Sequence, residues 1–334
     1  MHSAKVLVAV INTIGNVTTH LLQSGLRFQI DVDMDHCPTV TIGMPVYNGE
    51  RFIAEAIKSI LSQSYENFEL IVCDNASQDK TQRICRQYAR KDKRIRFYQN
   101  SVNMGAAFNY NRTFRLARGR YFKWAAADDI LAPSFLEKCI DILQKDKSVV
   151  LSYPLTVNID EEGSRVGVYD DRLNLTSPYA HERIKNFETN IDLCNALLGL
   201  IRSEALQKTN IIGAYSGSDV VLLIELSLQG KIHKIPEYLF FRRDHAKNCR
   251  KLPPRERAKW FDPAAKGIMN DHPLIYLFYR KLLAIKHSQL PVYEKLRCYP
   301  QVSWWVLRKW RDIGGKYKSI VKKRMGMASC WWWP

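Results

Sequence analysis

Two adjacent carboxylates, Asp128 and Asp129, directly follow a short apolar segment and an alanine pair. Carboxylates repel phosphate groups unless a divalent cation lies between them. Mg²⁺ and Mn²⁺ prefer one or two carboxylates, with phosphate oxygens completing the coordination shell. The pair is therefore a candidate site for such a cation and a diphosphate. A second interpretation stays open, in which an aspartate caps the helix that begins at Pro133.

Other phosphate and metal motifs are absent from the sequence. No GxGxxG follows the first apolar strand and GxxxxGK[ST] occurs nowhere, which disfavours a Rossmann dehydrogenase and a P-loop NTPase. The eight cysteines never have CxxC spacing, which disfavours zinc-ribbon and thioredoxin-like proteins. Cys73 and Cys139 lie inside apolar runs, so we expect buried, reduced thiols and a cytosolic compartment.

Regular strand–helix alternation, which would position these side chains, begins near residue 38. Apolar runs rich in β-branched residues predict strands over residues 39–45, 68–73, 95–98, 121–125 and 149–153. Spacing of three to four between apolar residues predicts helices over 50–63, from a Ser77 or Asp79 cap to about 91, over 105–118 and over 133–145. This alternation predicts an α/β fold with a mostly parallel twisted sheet flanked by helices.

Ligands of such sheets bind outside the carboxyl ends of the strands. The residues at those ends are Pro45 to Asn48, Asp74 to Ser77, and the Asp128-Asp129 pair. Beyond them, residues 154–194 are polar and less regular, and 195–201 could form a strand. Residues 218–228 have helical spacing, and 232–241 suggest two short extended pieces around a proline.

Several ordered segments resemble the family 2 glycosyltransferases. They are Val40-Thr-Ile-Gly-Met-Pro-Val-Tyr-Asn-Gly-Glu50, Ile57-Lys-Ser-Ile-Leu-Ser-Gln-Ser-Tyr65, Phe68-Glu-Leu-Ile-Val-Cys-Asp-Asn-Ala-Ser-Gln-Asp79 and Asn103-Met-Gly105. The resemblance covers about residues 38–155 and continues more loosely to about 250. It implies a GT-A fold and an inverting enzyme. Such an enzyme moves a sugar from a nucleotide-sugar, usually a UDP-sugar, to a hydroxyl of a glycan or lipid-linked glycan.

The resemblance also implies roles for residues in the first half of the chain. Pro45, Tyr47, Glu50 and Asn75 would line the nucleotide pocket, and Asp74 would accept a hydrogen bond from the base, although Asp-Asn is also common in turns. Asp128 and Asp129 would be the metal site for Mn²⁺ or Mg²⁺. The usual pattern there is Asp-x-Asp-Asp, whose first position is Ala126 in this chain, which leaves the metal ligand open and allows weaker metal dependence.

In the second half, Asp219 matches the position of the family's catalytic base, with Ser218 where Glu is usual. Inverting transfer needs one positioned carboxylate to take the proton of the attacking hydroxyl. An N-cap role for Asp219 on the following apolar helix is the alternative. Arg242, Arg243 and His245 match an Arg/His segment that would neutralise the leaving diphosphate or ligate the metal. A solvated basic strand end is the alternative.

The charge is unevenly distributed along the chain. Residues 241–334 hold 22 of the 50 basic residues and 6 of the 33 acidic ones, within a net charge of +17. Around Trp304 to Arg311 the basic residues alternate with Trp and Leu at helical spacing, which favours peripheral contact of residues 300–334 with an anionic membrane on its cytosolic face. A helix packed on the domain is the alternative. Nucleic-acid binding is disfavoured, because no such motif is present.

These patterns predict three parts of the chain. Residues 1–37 are a leader of unclear role. Residues 38–250 form the glycosyltransferase domain, with a nucleotide-binding half (38–155) and an acceptor half (156–250). Residues 251–334 form a basic, aromatic, helical extension. Because Ala126 and Ser218 depart from the family pattern, a non-catalytic nucleotide-sugar or glycan-binding protein on the same scaffold is the alternative function.

Overall fold

The computed structural model describes residues 37–246, 248–264 and 273–304. All of these except Cys37 belong to one compact unit that begins at Pro38. The predicted leader before Cys37 and the segment 305–334 lie outside the described residues.

One mixed sheet forms the centre of this unit, with the strand order β3-β2-β1-β4-β8-β6-β9-β5 and β7 paired to β6. The strands are β1 (Val40–Val46), β2 (Phe68–Asp74), β3 (Ile95–Gln99), β4 (Tyr121–Trp124), β5 (Ile130–Leu131), β6 (Val149–Ile159), β7 (Arg165–Tyr169), β8 (Leu200–Arg202) and β9 (Lys231–Arg243).

The sheet is parallel only in part. Strands β3, β2, β1 and β4 are parallel, as the alternation predicts. Strand β8 runs antiparallel to both β4 and β6, β5 runs antiparallel to β9, and β6 and β9 are again parallel. All residues of β1 and β2 are buried, because helices cover both faces of the sheet there. The α/β class is confirmed, and the second half of the sheet is mixed.

Strand β9 is continuous where the sequence predicts two pieces. Pro236 is exposed, and the pairing with β6 shifts register between Pro154 and Leu155, so two residues of β9, Pro236 and Glu237, lie between the paired positions Ile235 and Tyr238. A bulge tolerates a proline, because no ladder hydrogen bond is required of it there.

Helices pack on both faces of the sheet. They are α1 (Ile53–Leu61), α2 (Thr81–Lys91), α3 (Ala106–Arg115), α4 (Phe135–Lys145), α5 (Ala180–Asn190), α6 (Ser203–Gln207), α7 (Ser218–Gln229), α8 (Pro254–Phe261), α9 (Pro273–His287) and α10 (292–304). Helices α1 and α4 contribute to one hydrophobic core, and α3, α5, α7, α9 and α10 contribute to the other.

The described helices after residue 250 are packed against the sheet domain. Ile285 of α9 and Val302 of α10 are fully buried in the same core as Leu222 of α7. Lys281 of α9 forms a buried ion pair with Glu188 of α5, with Nζ 2.8 and 2.9 Å from the two carboxylate oxygens. The change of composition near residue 250 is therefore not a boundary in packing. None of the described helices is both long and apolar enough to cross a bilayer.

Candidate functional site

Hydrogen bonds between backbone and side chains hold together the two loops that follow β1 and β2. The Asn48 N–H donates to Ser77 Oγ at 2.8 Å, and Asn48 Oδ1 accepts the Gln78 N–H at 2.8 Å. The Glu50 N–H donates to Asp79 Oδ2 at 3.0 Å. The two loops therefore form one fixed rim at the carboxyl edge of the parallel strands.

A cavity of about 1020 Å³ opens beside this rim, which is the size of a site for a sizeable small molecule. Its wall is drawn from loops after the parallel strands, the end of β9, and the extension. The residues that matter for the predictions are Pro45, Tyr47, Glu50, Asn75, Asp128, Asp129, Arg242 and His245. Three other predicted site residues, Asp74, Arg243 and Asp219, are not part of the wall.

The residues of the first loop that are predicted to contact the nucleotide differ in exposure and in hydrogen bonding. Pro45 is buried at the floor, whereas the Tyr47 ring is 46% exposed. The Glu50 side chain is fastened to the second loop, since its Oε2 accepts the Lys80 N–H at 2.9 Å. Among these residues, Tyr47 therefore has the ring that is free to contact a ligand.

Asp74 ends β2 and is fully buried. Its Oδ2 accepts the Ser77 N–H at 3.1 Å, while its Oδ1 has no hydrogen-bond partner within the described part of the chain. Burial raises the pKa of this carboxyl above its usual value. Asn75 is occupied inside the protein. Its Oδ1 accepts the Met104 N–H at 3.0 Å and its Nδ2 donates to Asn103 Oδ1 at 2.8 Å.

The Asp128-Asp129 pair is divided between two environments. Asp128 Oδ2 lies 2.8 Å from His245 Nε2, and both side chains line the cavity. Asp129 is 8% exposed, and its Oδ1 accepts the Arg243 N–H at 2.9 Å, which fixes the end of β9. Burial, followed by repulsion from Asp128, raises the pKa of Asp129. Both residues line the cavity, but Asp129 is committed to a positioning contact, whereas Asp128 is paired with His245.

Arg243 does not fit the role of a free cation for a diphosphate. It is 1% exposed, and its guanidinium donates to the Asp128 and Asp160 carbonyls at 3.0 and 3.1 Å and to Glu55 Oε2 at 2.6 Å. A buried guanidinium with these acceptors is committed to holding the loops together. The expectation for Arg243 is corrected accordingly.

Arg242 is the arginine of this pair that lines the cavity. Its Nη1 donates to Asn195 Oδ1, which orients the guanidinium. Its positive charge offsets a small part of the rise that burial causes in the pKa values of Asp129 and Asp219. Arg242 therefore connects the acidic pair with the second half of the site.

Asp219 is the second residue of α7 and is partly exposed. Gly217, with a φ of 87°, occupies the N-cap position, so the N-cap interpretation of Asp219 is wrong. Burial raises the pKa of Asp219, and a hydrogen bond from the Cys194 thiol opposes that rise. Cys249, which lines the cavity, lies within electrostatic reach of Asp219. Asp219 itself is not part of the cavity wall.

The extension contributes cavity residues that the sequence analysis did not predict. Lys259 and Trp260 of α8 line the cavity, and the Trp260 ring meets the Tyr110 ring edge-on with centroids 6.5 Å apart. The pair Trp260-Phe261 at the end of a polar helix is the signal that could have revealed this packing. Tyr110 lies inside a predicted helix, and nothing in the sequence around it indicates that it lines a cavity.

Asp128 and His245 suit a divalent cation in the kind of ligand they offer. One carboxylate and one imidazole, 2.8 Å apart at a cavity, leave positions for diphosphate oxygens and water. No cluster of three or more His, Cys, Asp or Glu side chains that could hold a metal occurs in the described ranges. A cation here would therefore depend on the substrate for part of its shell.

Solved structures with the same architecture define the class of this fold and site. TarS of S. aureus (residues 1–349) with UDP-GlcNAc superimposes with a TM-score of 0.60 at 16% identity, over 82% of this chain and 73% of that one. The same TarS segment with UDP gives a TM-score of 0.58 at 17% identity, covering 82% and 72%. The fold is that of the GT-A glycosyltransferases.

Sequence comparison then identifies the family. The profile of Glycosyl transferase family 2 matches residues 41–209, about half of the chain, and the protein belongs to this family. The putative glycosyltransferase EpsE of Bacillus subtilis (strain 168) is 41% identical over 133 residues, 40% of this chain and 48% of EpsE. Chondroitin synthase of Escherichia coli is 32% identical over 158 residues, 45% of this chain and 23% of that enzyme. The chain thus spans half or less of the length of these relatives.

Proposed function

We propose that the protein transfers a sugar from a nucleotide-sugar to a hydroxyl of a glycan or lipid-linked glycan, with inversion at the anomeric carbon. The TarS structures contain UDP and UDP-GlcNAc, which favours a UDP-sugar as donor. One observation carries the proposal. The acidic residues Asp128 and Asp129 and the cation Arg242 line the same cavity as the loops after β1 and β2.

The nucleotide end of the donor would lie against the rim formed by the loops after β1 and β2. Tyr47 presents an exposed ring to a flat base or ribose. The Oδ1 atom of Asp74 is an acceptor without a partner in the described structure, and a base N–H is the kind of group that would satisfy it after a small movement.

The reacting bonds would lie between Arg242 and Asp219. The acceptor oxygen forms a bond to the anomeric carbon as the bond from that carbon to the diphosphate oxygen breaks. The hydroxyl proton passes to the Asp219 carboxylate, and the electron pair leaves with the diphosphate. Arg242 is a fixed cation positioned to stabilise the charge that grows on the leaving group.

Glycosyltransferases of this fold generally use a divalent metal, and Asp128 with His245 would hold it here. When bound, the cation supplies charge neutralisation for the diphosphate. Asp129 supports this site by fastening the end of β9, two residues before His245, to the acidic loop. We also propose that the acceptor is reached at the cytosolic face of a membrane, with peripheral contact through residues 300–334.

The replacement Asp219→Asn tests the assignment of the base. We expect transfer to be lost while UDP binding, measured by thermal shift, stays within the error of the original protein, because Asn keeps the shape but accepts no proton. The replacement Asp141→Asn, at an exposed position of α4, is the matched control and should leave both unchanged. Retained turnover in the Asp219→Asn variant would remove Asp219 from this role.

A second experiment distinguishes the enzyme from a non-catalytic binding protein. Incubation of the unmodified protein with UDP-GlcNAc and Mn²⁺ should release UDP slowly even without an acceptor, since water can replace the hydroxyl. Donor binding without any release of UDP, for a series of nucleotide-sugars, would favour the binding protein over the enzyme.

A further inference from the structure

Helix α10 has an apolar face that points away from the protein. Its inner face is buried, with Cys298 and Val302 fully enclosed in the core. On the same side, Glu294 Oε1 accepts the His181 N–H at 3.0 Å, which fixes the rotation of the helix about its axis. The outward direction of the remaining side chains is therefore determined by packing.

The outward side chains form a stripe along the helix. Tyr293, Leu296 and Trp304 are 64%, 63% and 59% exposed, and Pro300 is exposed between the last two. The successive spacings of 3, 4 and 4 residues place all four on one line of an α-helix. Val292, 73% exposed, precedes the stripe. Soluble proteins rarely expose aligned large apolar residues without a binding purpose.

The charge of the sequence that contains and follows this stripe indicates what it contacts. Residues 292–334 contain 10 basic residues and 2 acidic ones. Arg297, next to Leu296, is exposed, and Trp304 leads directly into Trp305-Val-Leu-Arg-Lys-Trp-Arg311. Tyr and Trp favour the headgroup level of a bilayer, and each Lys or Arg near an anionic surface adds to the attraction. A second copy of the chain would bring two strongly positive segments together, which disfavours self-association.

We propose that the outward face of α10, formed by Tyr293, Leu296, Pro300 and Trp304, docks on an anionic phospholipid surface. The face is part of the folded domain, so it would fix the distance and tilt of the domain at the membrane. The basic residues beyond Trp304 would add electrostatic attraction to the same surface. This inference rests on the proposed membrane contact and not on the transfer reaction, because membrane docking is measured without substrate.

Co-sedimentation of the full chain with vesicles tests this inference. We compare phosphatidylcholine vesicles with vesicles that also contain phosphatidylglycerol. The unmodified protein should pellet with the anionic vesicles and much less with the neutral ones. The double variant Tyr293→Asp/Leu296→Asp should lose about tenfold or more in partitioning, because it removes two apolar contacts and adds two negative charges at an anionic surface.

The matched control is Val166→Asp/Val168→Asp on β7. These valines are 61% and 63% exposed, so the control introduces the same charges at equally exposed apolar positions elsewhere. The control variant should bind anionic vesicles like the original protein. Equal losses in both double variants, unchanged binding in the α10 variant, or no binding of the original protein would each overturn the proposal.

Light scattering in solution tests whether a second copy of the chain, and not lipid, covers this face of α10. The protein should be monomeric, with or without the α10 replacements. A dimer that dissociates in the Tyr293→Asp/Leu296→Asp variant would assign the face to a second copy of the chain and would overturn the assignment to lipid. Thermal unfolding of all variants checks that the replacements, which lie on the exposed face, leave the fold intact.

Discussion

Asp128 and Asp129 are neighbours in sequence but have different surroundings. Asp128 meets His245 at the cavity, whereas Asp129 is buried and accepts the backbone N–H of Arg243. The sequence alone presents the two as equivalent candidates for a metal ligand. Only the position of β9, which brings the Arg243 backbone to one of them, separates a ligand candidate from a positioning residue.

The variants Asp128→Asn and Asp129→Asn test this separation. With Mn²⁺ present, we expect Asp128→Asn to weaken UDP binding about tenfold or more, because the carboxylate facing the cavity is lost. We expect a smaller effect from Asp129→Asn, because the amide oxygen still accepts the Arg243 N–H and the cost of a buried charge is removed. Calorimetric titration with UDP, with and without Mn²⁺, measures both. An equal loss of the Mn²⁺ effect in both variants would make Asp129 a ligand.

The two arginines illustrate what residue types can and cannot predict. Arg242 and Arg243 are adjacent and chemically identical, so the motif marks both as cations for a diphosphate. Alternation along β9 sends one side chain to the cavity and the other to Glu55 and to three carbonyls, those of Asp128, Asp160 and Glu161. The direction of that alternation depends on register with β6, which no local pattern reports.

At the scale of elements, α8 closes the cavity by packing on the loop before α3. Gly105, the N-cap of α3, has a φ of 83°, and a Cβ there would lie 2.6 Å from the Phe261 carbonyl oxygen. Only glycine therefore allows both the backbone conformation and the close approach of α8. The same loop is held by Asn75 and Asn103, so α8 is connected to the nucleotide side of the site.

A comparison of the variants Gly105→Ala and Gly163→Ala tests how much the packing of α8 on the Gly105 loop contributes. Both glycines have positive φ, 83° and 88°, but a Cβ at Gly163 would meet only Arg243 Nη1 at 3.8 Å. We expect Gly163→Ala to lower the free energy of unfolding by about 1–2 kcal/mol through backbone strain alone. Gly105→Ala should cost more and should also weaken UDP binding, because α8 must move.

Urea unfolding and UDP titration of the two variants provide the comparison. If both lose the same stability and both retain UDP binding, the contact between α8 and the Gly105 loop does not shape the site.

The sequence patterns predict the elements unevenly, for a physical reason. Strands β1 to β4 and helices α1 to α4 follow from apolar runs and apolar spacing. Helices α1 and α4 bury only apolar residues, and β1 and β2 bury mostly apolar ones. Helix α5 was not predicted, since it buries Arg183 and Glu188 along with Ile184 and Phe187. Those charged residues are satisfied by distant partners, the Ser227 carbonyl and Lys281, which periodicity cannot anticipate.

At the scale of the whole molecule, the second half of the site rests on a buried carboxyl far from it in sequence. Asp171 is 2% exposed, and its Oδ2 accepts the Ala196 N–H. The neighbouring Asn195 in turn accepts the hydrogen bond from Arg242. Asp171 Oδ1 has no partner within the described ranges, and burial raises the pKa of this carboxyl to about 7. The raised pKa links the protonation of Asp171 to the stability of the fold.

This linkage predicts how stability depends on pH. Between about pH 4, where an unfolded aspartate ionises, and about pH 7, the folded protein holds a proton on Asp171 that the unfolded chain has released. The contribution of Asp171 to the free energy of unfolding therefore falls as pH rises through this range. Asp171→Asn retains the acceptor for Ala196 and removes the charge. The variant should match the original protein near pH 4 and exceed it in stability above pH 7.

The adjacent Asp170 is a control with the opposite sign. Its carboxylate lies 2.6 Å from Lys234 Nζ, and this pairing contributes to a pKa below the usual value. Its stabilising contribution is present at neutral pH and is lost on acidification through that lowered pKa. Asp170→Asn should therefore be less stable than the original protein at pH 7, where Asp171→Asn is more stable. Urea unfolding of the three proteins from pH 4 to 8 measures the difference. A loss of stability in Asp171→Asn at neutral pH would show that its charged form is favoured in the fold.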